Sequence, residues 1–131
     1  MIELSISSKR REELIDITSE IEKIVGKKGW NSGILHIYTP HTTAAITINE
    51  NADYTVKEDI IDFLSKLVPS SFPFKHLEGN SDAHLKSSII GCSENVIVEN
   101  GRLVLGTWQG VFFCEFDGPR RRKVYLKFIS S

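Results

Sequence analysis

Asn100-Gly101, set between two short apolar and β-branched runs, constrains the fold more than any other feature of this chain. A two-residue hairpin turn needs positive φ at both central residues, and Asn-Gly supplies it readily. The pair therefore ties strands over 95–99 and 102–106 together as antiparallel neighbours. Two further strands follow, over 109–116 and 122–129, with Asp117-Gly118-Pro119 turning the chain between them. Consecutive short strands joined by tight turns pair antiparallel, because parallel pairing needs long crossovers.

The earlier part mixes strands with helices. Residues 2–7 and 12–17 alternate enough for two strands around the basic turn Lys9-Arg10-Arg11. A helix begins near 16–19, where Ser19-x-x-Glu22 reads as a capping box. Ile21, Ile24 and Val25 give it an apolar stripe, and Gly26 with Lys27 and Lys28 suits its end. Strands over 33–38 and 43–49 are separated by Thr39-Pro40 and a tight connection that holds His41. The strongest helical signal covers 53–67, with Val56, Ile60, Phe63, Leu64 and Leu67 on one face and Pro69 beyond its end. Residues 69–81 read as a long loop, a length that is often functional in compact domains. A short helix follows from an N-cap at Asp82 to Gly91, with Leu85 and Ile89 as its buried side. The order β, α, β, β, α and then a run of strands predicts an α+β fold with a largely antiparallel sheet.

The 131 residues suit one domain, 1–131, large enough for one core. A formal charge of 16 − 17 = −1 gives no general attraction to nucleic acid or to an anionic membrane. No apolar run approaches the roughly 20 residues of a spanning helix. Met1-Ile2-Glu3-Leu4-Ser5 lacks the basic start and apolar stretch of a signal peptide, so a cytoplasmic location is expected. Cys92 and Cys114 have no CxxC spacing and are expected as free thiols acting as small apolar side chains.

Chemistry centres on three histidines in polar, turn-like settings: His41, His76 and His84. Three imidazoles match the ligand count of a catalytic zinc site. Their spacing is equally compatible with three separate surface histidines, and no HExxH pattern is present. Ser87 and Ser88 follow His84 on its own side of a helix, and Lys86 sits near that helix's start. Free N–H groups, a lysine and hydroxyls can cradle a phosphate, or the lysine is solvated and the serines allow close packing. Glu50 and Asp53 can hold magnesium beside a phosphate, or cap the helix that follows; Asn49 bonds backbone at the same corner. Trp108 reads as core or interface, and Gln109 as a pocket residue. The basic cluster Arg120-Arg121-Arg122-Lys123 lies on a strand, which splits it over two faces. His36, flanked by Leu35 and Ile37, reads as structural.

Several blocks carry a resemblance. His41-Thr42-Thr43-Ala44-Ala45 with Asn49-Glu50-Asn51-Ala52-Asp53 is one; Glu78-Gly79-Asn80 through Ala83-His84-Leu85-Lys86-Ser87-Ser88 is another. Gly101-Arg102-Leu103, Leu105-Gly106-Thr107-Trp108-Gln109-Gly110 and Glu115-Phe116-Asp117-Gly118-Pro119-Arg120 complete them. Together they resemble the YjbQ family, also called the secondary thiamine-phosphate synthase family, over nearly the whole chain. Two positions depart from it: Phe74 stands where the family often has Tyr, and Ile97 where Pro is frequent.

The resemblance implies a compact α+β domain with a β-sandwich-like core, two main helices packed outside, and assembly as a homotrimer. It implies a cleft near a subunit boundary that holds a divalent metal on His41, His76 and His84, with zinc favoured and magnesium compatible with a diphosphate substrate. His84, Glu50 and Asp53 become the catalytic candidates. Thr42, Asn49, Lys86, Ser87, Ser88, Gln109 and Arg120 become candidates for binding a small phosphorylated substrate. The implied activity is thiamine-phosphate synthesis, in which a hydroxymethylpyrimidine diphosphate is joined to a thiazole phosphate and pyrophosphate leaves. A non-catalytic trimer that binds metal or a phospholigand, and a metal-dependent hydrolase, are the alternatives.

Overall fold

The computed structural model describes residues 1–131. Its elements in chain order are β1 (Ile2–Ser7), β2 (Glu13–Asp16), α1 (Thr18–Lys28), β3 (Gly33–Tyr38), β4 (Ala44–Glu50), α2 (Tyr54–Leu67), α3 (Ser81–Ile90), β5 (Ser93–Glu99), β6 (Arg102–Leu103), β7 (Gln109–Glu115) and β8 (Arg121–Ser130). One sheet has five strands in the order β1-β8-β3-β5-β6, and the other has three in the order β2-β7-β4. All pairings are antiparallel.

β7 explains the layering. Strand side chains alternate between faces, and β7 is apolar on both. Val111 and Phe113 pack with Leu35, Ile37, Val124 and Leu126 of the larger sheet, closing a sandwich with α1 along its end. Phe112 and Cys114 face the other way, against Leu64 of α2 and Ala83 of α3. The fold is thus the expected α+β arrangement: two antiparallel sheets with α2 and α3 on the outer face of the smaller one. No helix is long and apolar enough to cross a membrane.

Local chemistry sets the boundaries. Asn100 and Gly101 take φ of 51° and 73°, as a two-residue hairpin turn requires. The following strand stops at Leu103 rather than 106, because the chain turns at Gly106, whose N–H donates to Gln109 Oε1 (2.8 Å). At α1 the capping box does not form. Asp16 Oδ1 accepts from the Thr18 N–H instead (2.9 Å), one turn before Glu22 can act, and Ile17 occupies the cap position. The helix also runs past Gly26, to Gly29 at φ 65°. On α2, Leu64 is buried with Ile60 and Ile61 against it, while Phe63 and Leu67 are exposed.

The largest departure is α3. Asp82 is not its N-cap: the helix starts at Ser81, and Asp82 is buried inside the first turn. Leu85 and Ile89 are not its buried side; they are 43% and 55% exposed. The helix instead turns Ser81, Asp82, Ala83, Lys86 and Ser87 inward. Arg11 donates to both Asp82 oxygens (3.1 and 3.0 Å), and the Lys86 ammonium donates to Glu12 and to Asp82 (3.3 Å). The basic turn after β1 therefore meets α3 through charge, and this decides the helix's rotation over its apolar spacing.

A second buried ion pair joins the sheets. Arg122, on the inward side of β8, donates through Nε to Glu115 Oε1 (2.9 Å) and through Nη2 to Oε2 at the end of β7. Ser8 also donates to Glu115 Oε1 (2.6 Å), and Arg122 Nη2 reaches Thr43 Oγ1 (2.9 Å). Burial pushes the Glu115 carboxyl up, but hydrogen bonds from Arg122, Ser8 and the Asp117 N–H outweigh it and hold it below 4.5. Asp82 is likewise held low by Arg11 and Lys86 against its own burial.

Two outcomes follow. A carboxylate held below its unfolded value contributes stability above that value and loses it as pH falls through the folded value. The urea midpoint should therefore fall as pH drops below 4.5, and Glu115→Gln should flatten that dependence. Arg122→Met alone should cost about 3–5 kcal/mol by leaving a buried carboxylate unpaired, while Glu115→Met with Arg122→Met together should cost clearly less. Equal losses in the single and double variants would contradict the pairing.

Candidate functional site

The site is built where β3 stops. The β3–β8 ladder ends at Tyr38 opposite Tyr125. Continuing that register would set Pro40 against Lys123, and proline has no N–H to offer. Side chains take over the ladder's work. Thr39 Oγ1 donates to the Lys123 carbonyl (3.2 Å), and the Lys123 N–H donates to His41 Nε2 (3.0 Å). Two residues on, Thr43 is held by Arg122.

His41 and Thr42 then line a cavity of about 590 Å³, facing His84, Ser87 and Ser88 of α3, with Cys92 at its edge. Ser87 is only 8% exposed and lines this cavity; its hydroxyl bonds nothing within the chain but is open to solvent, whereas the one buried side-chain polar atom without a partner is Asn80 Oδ1. Ser88 Oγ bonds back to the His84 carbonyl (3.0 Å). Arg122, Arg120 and Lys123 stand nearby, each paired with a carboxylate: Glu115, Asp117 and Glu3. Burial first, then Arg122, and further Arg120 and Lys123, push the His41 imidazole below its ordinary 6.5, while Glu115 works against them.

His76 is brought to the same region by the 69–80 loop. Its ring meets His84 edge to face, with centroids 5.4 Å apart, and its Nε2 lies 3.8 Å from Glu78 Oε2. The three histidines do not close around one point, however. No group of three or more His, Cys, Asp or Glu side chains stands close enough to hold a metal ion.

Other expected site residues lie elsewhere. Lys86 is buried in its pairs with Glu12 and Asp82 and does not line the cavity. Asn49, Glu50 and Asp53 are at the far end of β4, roughly 20 Å from His41 at the usual strand rise. There Asn49 accepts from the Glu50 N–H (2.7 Å) and Glu50 from the Ala52 N–H (2.9 Å). Asp53 caps α2, accepting from the Thr55 hydroxyl and N–H, which hold its exposed carboxyl below the usual range. Gln109 lines a second cavity at that end, with Asp16, Thr18 and Asn51. Arg120 binds Asp117 (3.0 Å) beside the His41 region. Trp108 is exposed, so it is not core. His36 is structural, as expected, with Nδ1 2.7 Å from Asn95 Oδ1. Cys114 is a buried apolar filler, but Cys92 is exposed.

The residues sequence reasoning missed are Ser8, Glu115 and Arg122, which hold His41's loop, and Cys92. A signal existed for the pair. Glu115 interrupts an apolar run, and Arg122 shares the strand face of Val124 and Leu126.

The comparisons with known proteins agree on one assignment. The family model described as "UPF0047 protein YjbQ-like" matches residues 2–131. A UPF0047 protein of Methanocaldococcus jannaschii is 57% identical over 131 residues, covering 100% of this chain and 95% of the relative. The YugU protein of Bacillus subtilis is 54% identical over 125 residues, covering 95% of each. Among solved structures, a YjbQ/UPF0047-family protein of Clostridium acetobutylicum superposes with a TM-score of 0.96 at 50% identity, covering 98% of this chain and 100% of that one. A hypothetical protein of Aeropyrum pernix superposes at 0.94 with 39% identity, covering 99% and 98%. The chain belongs to the YjbQ-like UPF0047 family.

Proposed function

We propose that this protein is an enzyme acting on phosphorylated small molecules in the cavity between His41 and His84. Thiamine-phosphate synthesis, which the family resemblance implies, is the activity to assay first. The observation that carries the reading is a convergence on one cavity wall: the Ser87 hydroxyl, open to the cavity and bonded to nothing in the chain, stands with two imidazoles and Ser88. A hydroxyl left free on a cavity wall can both donate to and accept from a ligand oxygen. Arg120, Arg122 and Lys123 act on His41 as positive charges, opposed by Glu115. The larger groove between β2 and α2, about 670 Å³, is lined by Glu12, Glu13, Glu58 and Asp62 and disfavours an anion.

In this reading Ser87, Ser88 and Thr42 bind and orient the phosphate. His84, an imidazole at the cavity wall, is the group placed to give or take a proton. His76 and His84 are the proposed ligands of a divalent ion, zinc before magnesium because both donors are nitrogen. Such an ion would supply positive charge beside a departing phosphate group. We also propose the homotrimer. Leu77 at 95% exposure, with exposed Tyr54, Phe63 and Trp108, supports a surface that other copies cover.

Calorimetric titration with inorganic pyrophosphate tests the ligand class. His84→Ala and Ser87→Ala should each weaken binding by about tenfold or more, the loss of one hydrogen bond to a charged group. Unchanged affinity in both would sink the reading. Turnover of the two thiamine precursors, abolished by His84→Ala, separates an enzyme from a binding protein. Gln109→Ala is a third probe, with light scattering for the assembly. If the site lies within one chain, affinity stays within a factor of about two; a loss of about tenfold in a trimer means a neighbour's Gln109 reaches the cavity.

A further inference from the structure

His41 was the first candidate for a metal ligand, and its hydrogen bonding argues otherwise. We infer that His41 serves the cavity as a neutral Nδ1–H donor to an anionic ligand, and not as a metal ligand. The choice of anion rests on the function proposed above; the tautomer does not.

A neutral imidazole has one nitrogen that donates and one that accepts, and the bond made by one fixes the state of the other. His41 Nε2 accepts from the Lys123 N–H at 3.0 Å. The proton is therefore on Nδ1, the only ring nitrogen left for the cavity. For Nδ1 to bind a metal, its proton would have to move to Nε2, where it would meet the Lys123 N–H head on. The His41 ring is the acceptor this N–H uses on that side. The residue that would continue the β3 ladder opposite it is Pro40, and the loop answers Lys123 with the Thr39 hydroxyl and the His41 ring. An orphaned backbone N–H at this edge is a state proteins avoid.

The neighbours point the same way. Arg120, Arg122 and Lys123 act on the ring as positive charges, opposed by Glu115. Paired as they are with Asp117, Glu115 and Glu3, they add no negative charge that would draw a cation to the ring. The ring is also held firmly: Arg122 Nη2 bonds the Thr43 hydroxyl (2.9 Å) and carbonyl (3.3 Å), just beyond His41 in the chain, while Glu115 fixes Arg122. His41 thus brings a free Nδ1–H to the cavity that Ser87 and Ser88 also line, and metal binding is left to His76 and His84.

The deciding experiment reads the tautomer by long-range proton–nitrogen correlation on the intact protein labelled at histidine nitrogen. It is run alone, with zinc chloride, and with inorganic phosphate. The expected result is a proton on His41 Nδ1 and a bare Nε2 throughout, signals unmoved by zinc, and an Nδ1–H shifted by phosphate. In parallel, zinc uptake by His41→Ala should equal that of the unaltered protein, while phosphate affinity falls by about tenfold, as for one bond to a charged group. His41→Asn, which sets an amide N–H near the place of Nδ1, should retain phosphate binding and serves where the alanine variant folds poorly. A proton on Nε2, or a zinc-dependent shift of His41 Nδ1 with loss of zinc uptake in His41→Ala, overturns the inference. An Nδ1 proton with no response to phosphate overturns the proposed function and leaves the tautomer standing.

Discussion

Glu115 and Arg122 sit buried where the two sheets meet, and each is stable there only because of the other. A charge taken from water into an apolar interior carries a penalty of several kcal/mol, so the pair forms only with nearly every lone pair and proton engaged. Here Ser8, the Asp117 N–H and Thr43 complete the set. These partners come from the end of β1, the turn after β7 and the start of β4. An apolar pair would fill the same space but would not hold Thr43 by its hydroxyl and carbonyl. That hold keeps the 39–43 loop against β8, and the loop carries His41. The interaction that locks the sandwich is thus also what aims the site.

The rotation of α3 is the second determinant. Its apolar residues, taken alone, would turn Leu85 and Ile89 inward. The chain does the opposite because Arg11 and Glu12 arrive beside it with charges to match Asp82 and Lys86. With Lys86 fixed inward, Ser87 and Ser88 fall beside His41 together with His84, on the neighbouring side of the helix. Lys86 is then a positioning residue. It acts through helix rotation, and its ammonium is fully engaged by carboxylates before any phosphate could reach it.

Much of this was legible from residue patterns. The hairpin at Asn100-Gly101, the sheet-rich tail and α2 follow from local rules of backbone geometry and periodicity. The grouping of His84 with Ser87 and Ser88 follows from helical spacing. What failed has a common cause: long-range charge. The face of α3 depends on Arg11 and Glu12, distant in sequence from Asp82 and Lys86, and apolar periodicity is blind to such partners. The cap of α1 failed for a simpler reason, since Asp16 satisfies Thr18 before Ser19 can act. The three-histidine set shows the limit of type-based reasoning. Residue identity marks His41 as a possible ligand, but only the Lys123 N–H reveals which ring nitrogen is free.

The two ends of β4 pose the remaining question of which polar residues need a ligand to explain them. At the far end, none does. Asp53 caps α2, Asn49 and Glu50 satisfy backbone N–H groups, and Gln109 closes the Gly106 turn. Each of those side chains has a local structural task that accounts for its type and place. At the near end the accounting differs. Ser87 offers the cavity a hydroxyl that bonds nothing in the chain, and His41, on the same wall, has Nδ1 as its free ring nitrogen. A free hydroxyl and a free ring nitrogen on one cavity wall together suit an oxygen-rich partner from outside. That asymmetry, more than the number of histidines, is why the chemistry belongs between His41 and α3.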